Sequence, residues 1–156
     1  MCGIVGYVGE KNASQIIINS LKILEYRGYD SAGIALFDDK EIILEKKIGV
    51  IDELSNHLSA IDIKNCKIGM GHTRWATHGK PSLVNAHPLK YKKVVVVHNG
   101  IIENYYSLRN SLIKNGHDFV SDTDTEVVAH LLNDLLEKTD PLIALKELQQ
   151  IGRAHV

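Results

Sequence analysis

The sequence is short of several things, and each shortage narrows what the chain does. Cysteine is scarce: only Cys2 and Cys66 occur in 156 residues, which reads as two free thiols in a reducing compartment rather than a bridge. An excess of either charge is missing, since 18 Lys and Arg stand against 19 Asp and Glu. Without a polycationic surface, nucleic acid and anionic membranes are not expected partners. Long apolar runs are missing too. The longest aliphatic stretch, Val94 to Val97, falls far short of the roughly 20 residues that span a bilayer. The first residues carry neither the basic flank nor the apolar core of a signal peptide, so a cytoplasmic location is expected. Internal repeats and low-complexity linkers are absent. What remains, 44% hydrophobic and 24% charged residues, fits a soluble globular chain with one ordinary domain's worth of core.

Periodicity divides the chain into short strands and helices. Gly3 to Val8 reads as a buried strand, as do Ala32 to Phe37 and Ile42 to Ile48 with an Asp38-Asp39 turn between them. Ile17, Leu21 and Leu24 have helical spacing within Ser14 to Tyr26, and Gly28 is placed to end that helix; Ile51, Leu54 and Leu58 mark another. Lys67 to Thr73 and Lys93 to His98 are two more expected strands, separated by a long loop containing Gly, Pro and His. Asn104 to Asn115 reads as a helix closed by Gly116, Thr123 with Glu126 as a capping box opening a helix through Lys138, and Asp140-Pro141 as the start of a last helix. The final Ile151 to Val156 continues no helical pattern and resembles translated adapter sequence.

Four segments carry chemistry. Cys2 leads directly into a strand, and removal of Met1 would give it a free α-amine. Such a terminal nucleophile can use its own amine, with a pKa near neutrality, as the base; a cysteine there by chance is the bland alternative. Glu25 to Gly33 frames polar residues with Gly28 and Gly33 at a helix-to-strand junction, where backbone can approach a site closely, or simply caps a helix with an Arg27–Asp30 pair. Gly71 to Gly79, continuing to Asn85-Ala86-His87-Pro88, sets Arg74 at a strand end, suited to bidentate capture of a carboxylate. Four of the eight histidines fall between His72 and His98, but none of their spacings is that of a zinc motif, so no metal is expected. Finally, Val94 to Val97 runs into His98-Asn99-Gly100. An isolated Asn-Gly is commonly a plain turn. With no strand following two residues later, the Asn99 amide and the Gly100 N–H form a candidate oxyanion hole.

Together with Ser121 to Glu126, these segments resemble the class II glutamine amidotransferases, whose glutaminase domain is of the N-terminal nucleophile hydrolase type. Glu25 to Gly33 and His72 to Gly79 are most similar to the glucosamine-6-phosphate synthases within that class. The resemblance covers nearly the whole chain up to Gln150, in the family's order. It implies an α+β fold, a four-layer α-β-β-α sandwich, here C-terminally truncated. Residues 2–150 would be a partial glutaminase domain, 151–156 a non-native tail, and the sugar-isomerase domains would be absent from this chain. By the same resemblance, Cys2 attacks the side-chain amide of glutamine and forms a thioester. Asn99 and Gly100 stabilise the oxyanion, Arg74 holds the glutamine carboxylate, and Asp124 pairs with its ammonium. Trp75, Thr77 and His78 line the substrate loop, with Trp75 either covering glutamine or acting as a packed anchor, and Arg27 orients the Cys2 end. No cofactor is implied. Fructose 6-phosphate would be met through the missing domains, in a homo-oligomeric full-length enzyme.

Overall fold

Gly3–Val8 (β1), Ser31–Phe37 (β2), Ile42–Ile48 (β3) and Ile68–Arg74 (β4) make an antiparallel sheet in the order β1-β4-β2-β3. The computed structural model describes residues 2–27, 30–38, 40–61, 63, 66–75 and 80–151. In register, Gly3 faces Thr73 and Ser31 faces Arg74, so the start of β1 and the end of β4 lie at one edge of the sheet. β2 is buried from Ser31 to Leu36 with no alternation, the pattern of a strand covered on both faces.

One face of this sheet is covered by Ala13–Leu24 (α1) and Ile51–Ser59 (α2). Asn12 caps α1, its Oδ1 accepting the Ser14 N–H at 3.0 Å, which satisfies one of the orphan donors of the first turn. Ile17, Ile18 and Leu21 from α1 and Ile51, Leu54 and Leu58 from α2 pack on Ala32, Ile34 and Leu36, with Cys66 in the same core. Each such aliphatic side chain contributes roughly 1.5–3 kcal/mol by leaving water. Past α1 the chain tightens into a short 3-10 turn, Glu25–Arg27; Gly28, expected to end the helix, lies outside the described residues.

The second sheet is a hairpin of Leu89–Tyr91 (β5) and Val94–Val96 (β6), turning through Lys92 at φ +49°. β5 was not expected. Three residues directly after a proline are too few for alternation to register, and the hairpin is formed by what packs on it. That cover comes from Glu126–Leu136 (α4), with Tyr105–Lys114 (α3) and Pro141–Ile151 (α5) against α4. Gly6, Ala35 and Met70 of the first sheet and Val95 of the second line one cavity, so the two sheets face each other. The layers are therefore helix, sheet, sheet, helix: the α+β, four-layer sandwich expected. No helix among the described residues is long and apolar enough to cross a membrane.

A further departure concerns α4. The Thr123–Glu126 capping box does not form; the helix begins at Glu126 and Thr125 precedes it with no side-chain cap. The Glu126 carboxylate instead reaches back to the N–H groups of Val120 (2.8 Å) and Ser121 (2.7 Å) and to the Ser121 hydroxyl. A buried carboxylate gains more from three donors in the preceding turn than from one reciprocal cap.

Candidate active site

Cys2 precedes β1 by one residue, and its position follows from the β1–β4 register. The Gly3 N–H donates to Thr73 Oγ1 at 3.1 Å, which brings Cys2 beside the end of β4. There the Trp75 N–H donates to Cys2 Sγ at 3.2 Å, and the thiol reaches the Trp75 carbonyl at 3.7 Å. The sulfur is thus cradled by the Trp75 backbone, while the indole is 46% exposed.

A cleft of about 370 Å³ opens at this point, lined by Cys2, Arg27, Arg74, Trp75, Asn99, Gly100 and Asp124 among others, within the range of small-molecule sites. Seven of the nine residues singled out from sequence therefore meet in one place. The other two, Thr77 and His78, lie outside the described residues. Arg74 and Asp124 are both nearly buried. Burial pushes the Arg74 guanidinium below its usual range, and the acidic groups of Cys2, Asp30 and Asp124 act against that shift. Asp124 is fixed by the Ile102 N–H, which donates to its Oδ2 at 2.7 Å. A buried cation and a buried anion on the walls of one cleft suit a ligand that carries both a carboxylate and an ammonium group.

Asn99 and Gly100 follow β6 on the opposite wall. The Asn99 Nδ2 donates to the Cys2 carbonyl at 3.0 Å, and its Oδ1 meets His72 Nε2 at 3.0 Å. Gly100 has φ +151°, and a Cβ there would press on the His98 ring; only glycine adopts that backbone at little cost. Arg27, half-buried at the end of the 3-10 turn, also lines the cleft.

Sequence reasoning did not assign roles to His72, His87 and His98, which also line the cleft. His72 was within reach, since it stands two residues before Arg74 on β4 and so shares its face. His87 was not, because its place depends on the loop folding back over β2. The fold-back is tight: a Cβ on Gly33 would run into the His87 carbonyl oxygen. The His72 and His87 rings stack with centroids 4.5 Å apart. Burial holds both rings neutral, at about 4 for His72 and about 2 for His87. Among the described residues, no group of three His, Cys, Asp or Glu side chains is arranged to hold a metal ion.

The glutamine amidotransferase domain model matches residues 58–139, more than half of the chain. The chain belongs to the glutamine amidotransferase domain family. Over most of its length this amidotransferase domain is also similar to curated proteins named glutamine–fructose-6-phosphate aminotransferase [isomerizing]. It is 55% identical to that of Pyrococcus horikoshii over 141 residues, covering 89% of this chain and 23% of the relative. With the Aquifex aeolicus protein it shares 57% over 144 residues, covering 88% and 24%. The chain thus spans about a quarter of the length of these relatives. Among solved structures, the amidotransferase domain matches the Bacillus subtilis glutamine phosphoribosylpyrophosphate amidotransferase with a TM-score of 0.80 at 27% identity, covering 99% of this chain and 33% of that one. A second structure, of an allosteric regulatory enzyme of purine biosynthesis, matches at TM-score 0.83 and 27% identity, covering 99% and 34%.

Proposed function

We propose that this domain takes ammonia from the side-chain amide of glutamine, as the glutaminase part of a longer glutamine–fructose-6-phosphate aminotransferase. The observation that supports it is one cleft holding a cradled thiol, a buried Arg74, a buried Asp124 and the Asn99-Gly100 pair. Arg74 would hold the glutamine α-carboxylate and Asp124 the α-ammonium, which places the side-chain amide at Cys2. With Met1 removed, the Cys2 α-amine takes the thiol proton as sulfur attacks the amide carbon. The carbonyl electrons move onto oxygen, stabilised by an Asn99 N–H and the Gly100 N–H. Collapse of that intermediate breaks the C–N bond, with the amine returning its proton to the leaving ammonia. Water then attacks the thioester, releasing glutamate and restoring the thiol. Thr77 and His78 would line the substrate loop, Trp75 would cover glutamine, and Arg27 would orient the Cys2 end.

The identity to the fructose-6-phosphate aminotransferases, about twice that to the phosphoribosylpyrophosphate enzyme, favours the hexose acceptor. On this reading residues 2–150 are part of the glutaminase domain and residues 151–156 a non-native tail. Fructose 6-phosphate binds to isomerase domains outside this chain, in a cytoplasmic homo-oligomer. Residues 1–156 alone are then expected to turn over little or no glutamine.

The test uses the full-length protein that carries this chain. It should release glutamate from glutamine and, given fructose 6-phosphate, form glucosamine 6-phosphate. Glutamate without amino sugar would keep the glutaminase chemistry and remove the acceptor. No glutamate from protein with a free Cys2 amine would overturn both.

A further inference from the structure

We infer that His72 is a positioning residue: it holds the side-chain amide of Asn99 in the one orientation that keeps its N–H groups on the Cys2 side of the cleft. The inference rests on the glutaminase reading and adds a residue to it. Asn99 is exposed, three residues beyond the end of β6, and an unrestrained amide there can rotate and exchange its donor for its acceptor. Two contacts prevent this. The Cys2 carbonyl can only accept, so the group 3.0 Å from it must be the Asn99 NH₂. Its Oδ1 is thereby turned to His72 Nε2 at 3.0 Å. An amide oxygen cannot donate, so Nε2 must carry the proton. The Cys2 carbonyl takes one of the two amide N–H bonds, and the second remains for an oxyanion.

The His72 ring is held from behind. It is buried and stacked on His87 at an interplanar angle of 22°. The segment carrying His87 is fixed by Lys46, whose Nζ donates to the Ala86 carbonyl at 2.7 Å. It is fixed again by Asn85, which exchanges hydrogen bonds with Asp122, the Asp122 N–H donating to Asn85 Oδ1 at 2.9 Å. The ring is neutral because burial outweighs its bond to Asn99 and its interaction with the His98 backbone, with the charges of Arg74 and the His98 ring adding to the shift. A neutral ring has one proton, and the geometry puts it on Nε2. A loosened Asn99 would still permit glutamine binding through Arg74 and Asp124 but would weaken oxyanion stabilisation, so the loss belongs in kcat rather than KM.

The experiment is a double-mutant cycle on glutamate release by the full-length protein, with His72→Ala, His72→Gln, Asn99→Ala and the pairs. Removing an oxyanion donor outright typically costs about 100- to 1000-fold. His72→Ala is expected to lower kcat about 30- to 300-fold with KM changed less than about threefold. His72→Gln, which keeps a donor, should recover at least about tenfold of that loss. In the Asn99→Ala background either His72 substitution should cost less than about twofold, because the group it acts through is gone. Equal losses in both backgrounds would overturn the inference, as would an unchanged kcat in His72→Ala or a loss confined to KM. If His72→Ala does not fold, His72→Gln carries the cycle. Nitrogen-15 shifts of selectively labelled histidine read the tautomer without activity: an Nε2–H ring is expected, and an Nδ1–H ring at His72 would sink the idea. Absence of glutaminase activity in wild type would instead count against the functional reading and leave the tautomer result standing.

Discussion

The sheet β1-β4-β2-β3 and its helices α1 and α2 bury Ile17, Leu21, Ile34, Leu36 and Leu54 against one another, whereas the layer of β5, β6 and α3–α5 buries many of its polar groups. In that second layer Glu126, His130 and Asn133 are sunk in α4 beside the turn of Ser121, Thr123, Asp124 and Thr125. His130 lies between the rings of Tyr91 and Phe119, at 3.7 and 4.2 Å, and its Nδ1 meets His117 Nδ1 at 2.9 Å. His117 in turn reaches Asp134 at 3.1 Å. Apolar burial is non-directional and gives the first layer a stiff platform for Cys2 and Arg74. Buried polar groups need particular partners, which lets the second layer aim Asp124 into the cleft. The cleft lies where the two kinds of packing meet.

The largest expected effect separates chemistry from both kinds of packing. In the full-length protein Cys2→Ala should lower glutamate release by more than about a thousandfold while the urea midpoint stays put. A parallel loss of stability would mean that Cys2 holds the fold and does not act only in the reaction. Next comes the apolar layer: Leu54→Ala and Ile34→Ala should each cost about 2–5 kcal/mol by urea denaturation, and a cost below about 1 kcal/mol would show that this core is loosely packed. In the polar layer Glu126→Ala leaves three donors in the Val120–Ser121 turn without their acceptor. A loss of about 1–3 kcal/mol is expected, together with a raised KM for glutamine as Asp124 shifts. An unchanged KM would uncouple this turn from the cleft.

Acid tests the buried polar groups of both layers without mutation. His72 and His87 have an ordinary value near 6.5 when unfolded but are held at about 4 and about 2 in the fold. The unfolded chain therefore takes up protons that the folded one refuses. Stability is greatest above about pH 6.5 and falls as pH drops from there toward 4, by about 1.4 kcal/mol per pH unit for each ring. For Glu126, burial works to raise the carboxyl, but the His130 ring 3.6 Å away and hydrogen bonds from Ser121 and the two backbone N–H groups outweigh it and hold it at about 2. Its contribution is complete above about 4.5 and is lost as pH falls toward 2. Urea midpoints measured from pH 7 to 4 should show the slope, and His87→Phe should reduce it by about half; a level profile in the unsubstituted protein would contradict the buried neutral rings. The smallest effect belongs to the surface. Breaking the exposed Lys92–Glu137 pair should leave the urea midpoint unchanged.

Among the described residues most strands and the helices were legible in the sequence, because apolar spacing is a local property and these spans are long enough to show it; the family was legible only through the resemblance of its motifs. Ile17, Leu21, Ile51, Leu54 and Leu58 were recognisable as core from spacing alone. Cys2, Arg74 and Asn99-Gly100 were recognisable as candidates for chemistry because side-chain type and neighbouring backbone restrict what each can do, whereas Asp124 came only from the resemblance. What only the tertiary structure decided is which distant groups meet. It set β5 against β6 under α4, turned Glu126 back onto Val120 and Ser121, and stacked His87 on His72. It also joined Asn99 at once to His72 and to the Cys2 carbonyl. Each of these depends on long-range packing and on which buried polar group reaches which partner, and neither is encoded in the spacing of a single segment.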